Sequence, residues 1–87
     1  MALRLEIFSP DAMVYSAECI QSITLPTLEG EIEILSDHRP ILTILKRGEV
    51  HVVTSGNKAI FIIHDGFAQV INNHISVLTS FATAAKK

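Results

Sequence analysis

Hydrophobic and polar residues alternate along most of this chain. The segments "LRLEI" (3–7), "EIEI" (31–34) and "EVHV" (49–52) each place apolar residues on one parity and polar residues on the other. Because successive side chains of a β-strand point to opposite faces, this period of two predicts strands with one buried face. The continuous apolar segment "AIFII" (59–63) and the segment "HISVL" (74–78) also have the length of strands.

Turn-forming residues separate these segments at short intervals. The dipeptides "GN" (56–57) and "NN" (72–73) tolerate the positive φ that two-residue hairpin loops need. Short strands with turns roughly every 8–12 residues predict one all-β domain, a sandwich or barrel, over residues 1–87. The segment from Ser80 to Lys87 carries a helical signal with Ser80 as the N-cap, and it predicts at most a short helical turn.

Composition narrows the class of protein further. The 87 residues are 48% hydrophobic and 18% charged, which argues against disorder, and the net charge of −2 gives no support to nucleic-acid binding. Cys19 is the single cysteine, and its apolar neighbours predict a small buried side chain rather than a nucleophile. The apolar runs are too short to span a bilayer and the N-terminus has no signal-peptide pattern, so we expect a soluble, cytosol-type domain.

Candidate chemistry is sparse. The four histidines show no metal-ligand spacing. Glu31 and Glu33 share one face of a strand about 7 Å apart, but the alternation places them on the solvated side. The serines lie in no nucleophile elbow, and the isolated glycines form no phosphate-binding loop. A metal-assisted hydrolase using Glu31, Glu33 and His38 is therefore the weakest hypothesis, and we expect a non-enzymatic protein without metal or cofactor.

The segment "EGEIEILSDHRPILTIL" (29–45) joins a charged turn to an apolar block. An apolar patch with a polar rim is typical of a protein–protein contact. The pattern is equally compatible with a core strand, and the alternation alone does not separate these two interpretations.

Nine short segments of the chain match one known family in order and with matching spacing. They are Ser9-Pro10-Asp11, Val14-Tyr15-Ser16, Leu25-Pro26, Glu29-Gly30-Glu31, Ile34-Leu35, His38-Arg39-Pro40, Leu45-Lys46-Arg47-Gly48, Gly66-Phe67 and Ser76-Val77-Leu78. On these segments the sequence resembles the N-terminal half of the epsilon subunit of F-type ATP synthases, and the similarity covers nearly the whole chain. Thr27, Glu33 and Asp65 stand where that family has glycine, and the similarity does not extend to the C-terminal helical hairpin with which the family usually continues.

This resemblance implies a fold, a function and two contact surfaces. The implied fold is a ten-stranded, two-sheet β-sandwich, and the implied function is that of a non-catalytic central-stalk subunit that couples proton flow to ATP synthesis. Its partners would be the gamma subunit, the ring of c subunits and, indirectly, the catalytic alpha/beta hexamer. The expected ring contacts are Glu29, Glu31, Ile32 and His38, and the expected gamma contacts are Pro40, Leu42 and Thr43.

The resemblance also implies a location for the chain, and one alternative function remains beside it. The chain would be peripheral to a membrane through its complex, on the cytoplasmic face of the bacterial inner membrane in preference to the plastid thylakoid. The alternative from another class is a free-standing β-sandwich that binds a peptide or small ligand at a loop end. Co-purification of a gamma subunit distinguishes the two.

Overall fold

The alternating segments of the sequence form β-strands in the computed structural model, which describes residues 2–85. Within this range there are nine strands and no helix, so no helix there could cross a membrane. The prediction of an all-β domain is confirmed. The strands are β1 (Leu3–Phe8), β2 (Met13–Thr27), β3 (Gly30–Leu35), β4 (Ile41–Leu45), β5 (Gly48–Thr54), β6 (Asn57–Ile63), β7 (Gly66–Ile71), β8 (His74–Leu78) and β9 (Ala82–Ala84).

Strand pairing divides the molecule into two layers. In layer one, β1 lies between the N-terminal half of β2 and a parallel β8, and the sheet continues through β7 to β4. In layer two, the C-terminal half of β2 lies between β3 and β5, and the sheet continues through β6 to β9. The strands β3 and β4 are therefore the last strands of different layers, although the C-terminal Leu45 of β4 also pairs with Thr27 of β2. They follow one another in the chain.

The 15-residue β2 contributes to both layers, and it changes its inward parity near Cys19. Ala17 pairs with Leu5 before this point, and Ile20 pairs with Leu3 after it, across a register shift. Cys19 has a φ of 60° and is exposed, so the prediction that it is buried is wrong. The irregularity turns its side chain outward, which the alternation of its neighbours did not indicate. When the two halves of β2 are counted separately, each layer has five strands, and the predicted ten are obtained.

The core lies between the layers and consists of the inward residues of both. Leu5, Ile7 and Val77 of layer one and Ile23 and Val52 of layer two are fully or almost fully buried. Each such side chain stabilises the fold by about 1.5–3 kcal/mol relative to an exposed position. Buried side-chain nitrogen and oxygen atoms of the described residues all have hydrogen-bond partners.

The C-terminal segment forms a strand in the described residues, and Ser80 starts no helix there, which agrees with the expectation of at most a short helical turn. The backbone of β9 pairs antiparallel with β6, and the Ala85 N–H donates to the Ile60 carbonyl oxygen at 2.8 Å. A helix of this length gains too little from its own hydrogen bonds to persist, whereas the free edge of β6 supplies ready backbone partners. Lys86 and Lys87 lie outside the described residues.

Candidate docking surface

The turn between β2 and β3 brings Glu29 close to the edge strand β4. The Thr27 hydroxyl donates to the Gly30 carbonyl and accepts the Glu29 N–H, which closes the turn. The Leu28 N–H then donates to the Ile44 carbonyl of β4 at 3.2 Å. The result is a shallow depression of about 320 Å³ lined by Leu28, Glu29, Leu42, Thr43 and Ile44.

The next two predicted ring contacts lie on β3 itself. Glu31 is exposed, as is Glu33 on the same parity, and Ile32 is half-buried against the core. Within residues 2–85, β3 pairs only with β2, so its other edge is open to a partner. Glu31 and Ile32 therefore belong to an accessible edge strand of layer two.

His38 lies in the connection between β3 and β4, at the opposite end of β3 from Glu29. Its ring is half-buried, and its Nδ1 lies 2.7 Å from the Arg39 carbonyl oxygen. A depression of about 520 Å³ here is lined by His38, Arg39 and Pro40 together with Asp37, Asn72 and Asn73. The predicted ring residues are thus not gathered into one cluster, because β3 separates Glu29 from His38.

The predicted gamma contacts lie on β4 of layer one or directly before it. Leu42 is 71% exposed and Ile44 60% exposed, whereas Leu45 of the same strand is buried. Both interpretations of the apolar block therefore hold for alternate residues: one parity is core and the other is surface. Pro40 is exposed at the start of this strand, and Thr43 is half-buried on the inward parity.

An exposed apolar row crosses layer one from β4. Ile44 pairs with Phe67, Phe67 with Leu78, and Leu78 with Phe8, so four outward side chains lie side by side on four neighbouring strands. Ile44, Phe67 and Leu78 are between 41% and 60% exposed. We call these four residues the apolar row. A contiguous strip of exposed apolar residues marks an interaction site more often than scattered apolar residues do.

A groove lies at the far end of the apolar row from β4. It has a volume of about 310 Å³, and Phe8, Pro10, Phe67 and Leu78 supply most of its walls. Gly66 is needed at its base, because its φ is +130° and a Cβ atom there would overlap the Leu78 carbonyl oxygen. The groove offers a place for one apolar side chain of a partner.

Charged residues flank the apolar row on the same face. Glu6 lies beside it on β1, with its carboxylate 2.9 Å from His74 Nε2 and 3.4 Å from the Arg4 guanidinium. At the other end of the face, hydrogen bonds from Ser80 lower the pKa of Asp65, with a smaller contribution from His64. An apolar centre with a charged rim is the usual anatomy of a protein interface.

Within residues 2–85, no three histidine, cysteine or acidic side chains approach closely enough to hold a metal ion. Glu31, Glu33 and His38 therefore do not form the centre that a metal-assisted hydrolase would need. The two glutamates are exposed to solvent, where a carboxylate gains none of the desolvation that tunes an acid–base catalyst.

The sequence pattern alone missed Phe8, Phe67 and Leu78 as surface candidates. A signal was present, because each is apolar on the parity opposite to the core residues of its own strand. What the sequence lacked was the register that places the three beside each other and beside Ile44.

The fold and the apolar strip of the described residues define a class of protein, a two-layer β-sandwich domain with a candidate docking surface. The comparisons with known proteins specify the family. The profile of the ATP synthase, Delta/Epsilon chain, beta-sandwich domain matches residues 2–85. The chain belongs to this family.

Curated relatives support the same assignment. The ATP synthase epsilon chain of the Emiliania huxleyi chloroplast is 37% identical over 82 residues, which cover 94% of this chain and 62% of the relative. The ATP synthase epsilon chain of Herpetosiphon aurantiacus is 35% identical over 85 residues, which cover 98% of this chain and 62% of the relative. The chain thus spans less than two thirds of the length of these relatives.

Solved structures show the same fold. A chain in the Euglena gracilis mitochondrial ATP synthase (OSCP/F1/c-ring) superimposes with a TM-score of 0.87 at 26% identity, over 94% of this chain and 52% of that one. A chain in the central stalk/c-ring structure of the Tetrahymena thermophila mitochondrial enzyme gives a TM-score of 0.79 at 17% identity, over 93% of this chain and 65% of that one. The second comparison bears on the fold alone.

Proposed function

We propose that this chain is the epsilon-type subunit of the central stalk of a proton-translocating ATP synthase, where residues 1–87 act as one non-catalytic domain. It binds the gamma subunit and the ring of c subunits and thereby helps to couple ion flow to ATP synthesis in the alpha/beta hexamer. The observation that carries the proposal is the apolar row, because a surface of this kind on a small domain of this family calls for a rigid protein partner.

The gamma subunit is the proposed partner of the apolar row and the β4 edge. The connection that carries His38 leads directly into Pro40, Leu42 and Thr43. Leu42 is two residues before Ile44, so the two side chains point to the same face of β4. The docking surface therefore runs continuously from the β4 edge into the row. Its centre would exclude water, and a side chain of gamma seated in the groove beside Phe67 would act as an anchor.

The c ring is the proposed partner of the β3 edge and the two turns that flank it. Glu29, Glu31 and His38 would meet polar loops of the c subunits, with Ile32 contributing apolar contact. Since Glu29 and His38 lie at opposite ends of β3, this contact follows the length of the strand. Exposed charges of this kind contribute about 0.2–1 kcal/mol per pair and act mainly on orientation and association rate.

Leu42→Asp tests the gamma contact. The substitution places a charge in the centre of the proposed interface, so we expect the affinity for purified gamma subunit to fall at least about tenfold. Leu35→Asp is the matched control, because Leu35 is 53% exposed at the end of β3 in layer two. Both variants should keep the wild-type unfolding midpoint. Equal binding by wild type and Leu42→Asp would remove β4 from the gamma surface.

Glu31→Lys tests the ring contact. We expect weaker attachment to reconstituted c ring and less proton-driven ATP synthesis in vesicles, with a larger effect at low salt and with gamma binding unchanged. Glu18→Lys is the control, since Glu18 is exposed on β2 in the other layer. Coupling that is unaffected by both Glu31→Lys and His38→Glu would exclude this site.

The location of the chain follows from the complex. As a stalk subunit it is a peripheral membrane protein, and we assign it to the cytoplasmic face of the bacterial inner membrane ahead of the plastid thylakoid. The alternative function, a free-standing module that binds a peptide or small ligand, is favoured by one observation, the apolar groove beside Phe67. A pull-down from native membranes that recovers no gamma subunit would support this alternative.

A further inference from the structure

Asn73, in the turn between β7 and β8 of layer one, holds the loop that carries His38. Its side-chain oxygen accepts the Asp37 N–H at 2.6 Å, and its side-chain nitrogen donates to the Asp37 carboxylate at 3.3 Å. These two hydrogen bonds join residues 36 positions apart in the chain. A reciprocal pair of this kind fixes both the position and the orientation of Asp37 relative to Asn73.

The loop 36–40 has few other attachments. It joins β3 of layer two to β4 of layer one, and His38 bonds only to the neighbouring Arg39 carbonyl. Among the hydrogen bonds of the described residues outside the strand ladders, only those from Asn73 tie this loop to a distant part of the chain. Asp37 also adopts a φ of 64°. This left-handed backbone conformation costs free energy for a residue other than glycine, so contacts such as those with Asn73 are needed to hold it.

Asn73 is itself anchored to layer one. It lies in the turn between β7 and β8, and its carbonyl oxygen accepts the Arg4 N–H of β1 at 2.9 Å. Asn73 therefore transmits the position of β1 to the loop through its backbone on one side and its side chain on the other. The adjacent Asn72 also has a positive φ, yet its side chain makes no such bond within residues 2–85.

From this geometry we infer that Asn73 is a positioning residue, which holds the loop 36–40 in the conformation that presents His38 to the c ring. The inference rests on the ring contact of His38 given under the proposed function. Asn73 acts through Asp37 and need not touch the ring. Without its side chain the loop samples other conformations, and ring binding then carries the entropic cost of ordering it.

Asn73→Gly is the first test, because glycine keeps the left-handed backbone while removing the side chain. Asn72→Gly is its matched control in the same turn. In the full 87-residue chain we expect amide exchange at Asp37 to accelerate about fivefold in Asn73→Gly, as for the loss of one net hydrogen bond, and to stay unchanged in Asn72→Gly. The side-chain resonances of His38 should move in Asn73→Gly alone. Unchanged exchange at Asp37 would overturn the inference.

An exchange of the two side chains gives a second test that does not depend on overall stability. Asn73→Asp alone places two carboxylates together and should release the loop. Combining it with Asp37→Asn gives position 37 a side-chain amide donor beside its backbone N–H, and the carboxylate at position 73 can accept both, so the double variant should recover slow exchange and the wild-type His38 resonances. A double variant no slower in exchange than Asn73→Asp would contradict the pairing.

Ring affinity distinguishes this inference from the proposed function. If Asn73 acts through the loop, Asn73→Gly should weaken binding of reconstituted c ring severalfold, and His38→Ala should add little in that background. If His38→Ala weakens binding and Asn73→Gly does not, positioning by Asn73 is wrong. If neither Asn73→Gly nor His38→Ala changes ring binding while exchange at Asp37 still accelerates, His38 does not contact the ring. Asn73 then holds the loop, but not for binding the c ring.

Discussion

The outer faces of the two layers follow the same alternation but carry different residues. On layer one, the apolar row places Ile44, Phe67, Leu78 and Phe8 side by side across four strands. On layer two, the corresponding row across β3, β2, β5 and β6 is Glu33, Thr24, His51 and Ile60.

The comparison separates what folding requires from what binding requires. Both layers bury apolar residues on their inner faces, which is sufficient to form the sandwich. The outer row of layer two is polar at three of its four positions, which is the expected result of contact with water. The apolar row adds nothing to the core, so its cause is best sought in a partner, and the following predictions test this difference.

The largest expected effect concerns two glycines with a positive φ, Gly66 and Gly56. Gly66→Ala in layer one should lower the free energy of unfolding by about 3 kcal/mol or more, because the new Cβ meets the Leu78 carbonyl in a left-handed conformation. Gly56→Ala in layer two should cost only about 1 kcal/mol, since its positive φ opens into free space. Urea unfolding of both variants measures the difference, and equal losses would show that the groove does not restrict Gly66.

Matched truncations of the two outer rows come next. Phe67→Ser should weaken gamma binding at least about tenfold, whereas Ile60→Ser should change it by less than about twofold. Both residues lose apolar contact, so unfolding measurements must show that the variants are folded at the assay temperature. Titration calorimetry with purified gamma subunit reports the affinities. A larger loss for Ile60→Ser would assign the docking face to layer two.

The glutamates that contact histidine on the two outer faces should differ by a smaller amount. Glu6→Gln in layer one should cost about 1 kcal/mol, because this carboxylate is only 17% exposed and contacts both Arg4 and His74. Glu49→Gln in layer two should cost less than about 0.5 kcal/mol, since its pair with His51 is open to solvent. Thermal unfolding at neutral pH compares them, and the reverse order would contradict the burial argument.

The smallest effect is expected at the crossing from layer two to layer one between β6 and β7. Hydrogen bonds from the Ser80 side chain and backbone hold the pKa of Asp65 below its ordinary value of 3.8. A carboxylate with a lowered folded pKa stabilises the fold above its unfolded pKa and loses that contribution as pH falls through the folded value. Wild type should therefore exceed Asp65→Asn in stability at neutral pH, and the difference should shrink below pH 3.8. A difference independent of pH would exclude this ionisation.

The candidate site was predictable in part. The outward position of Glu31 followed from the alternation of its strand, whereas the exposure of Leu42 did not, because the pattern of residues 40–45 fitted a core strand equally well. Their assignment to separate partners remains a prediction. The grouping of Glu29 with Leu42, and of His38 with Asn73, was not predictable, since it depends on contacts between segments that are distant in the chain.

The sequence by itself determined the class of fold and the inner faces of most strands, because the period of two is a local property of the chain. It did not determine the exposure of Cys19, where a local irregularity reverses the parity of β2. Nor did it determine the C-terminal strand, which forms because β6 offers a free edge to Ala82–Ala84. The apolar row and the Asn73 pair with Asp37 also required the tertiary structure. Both depend on contacts between segments that are distant in the chain. The alternation of a strand indicates which way its side chains point, but it does not indicate which residues of other strands lie beside them.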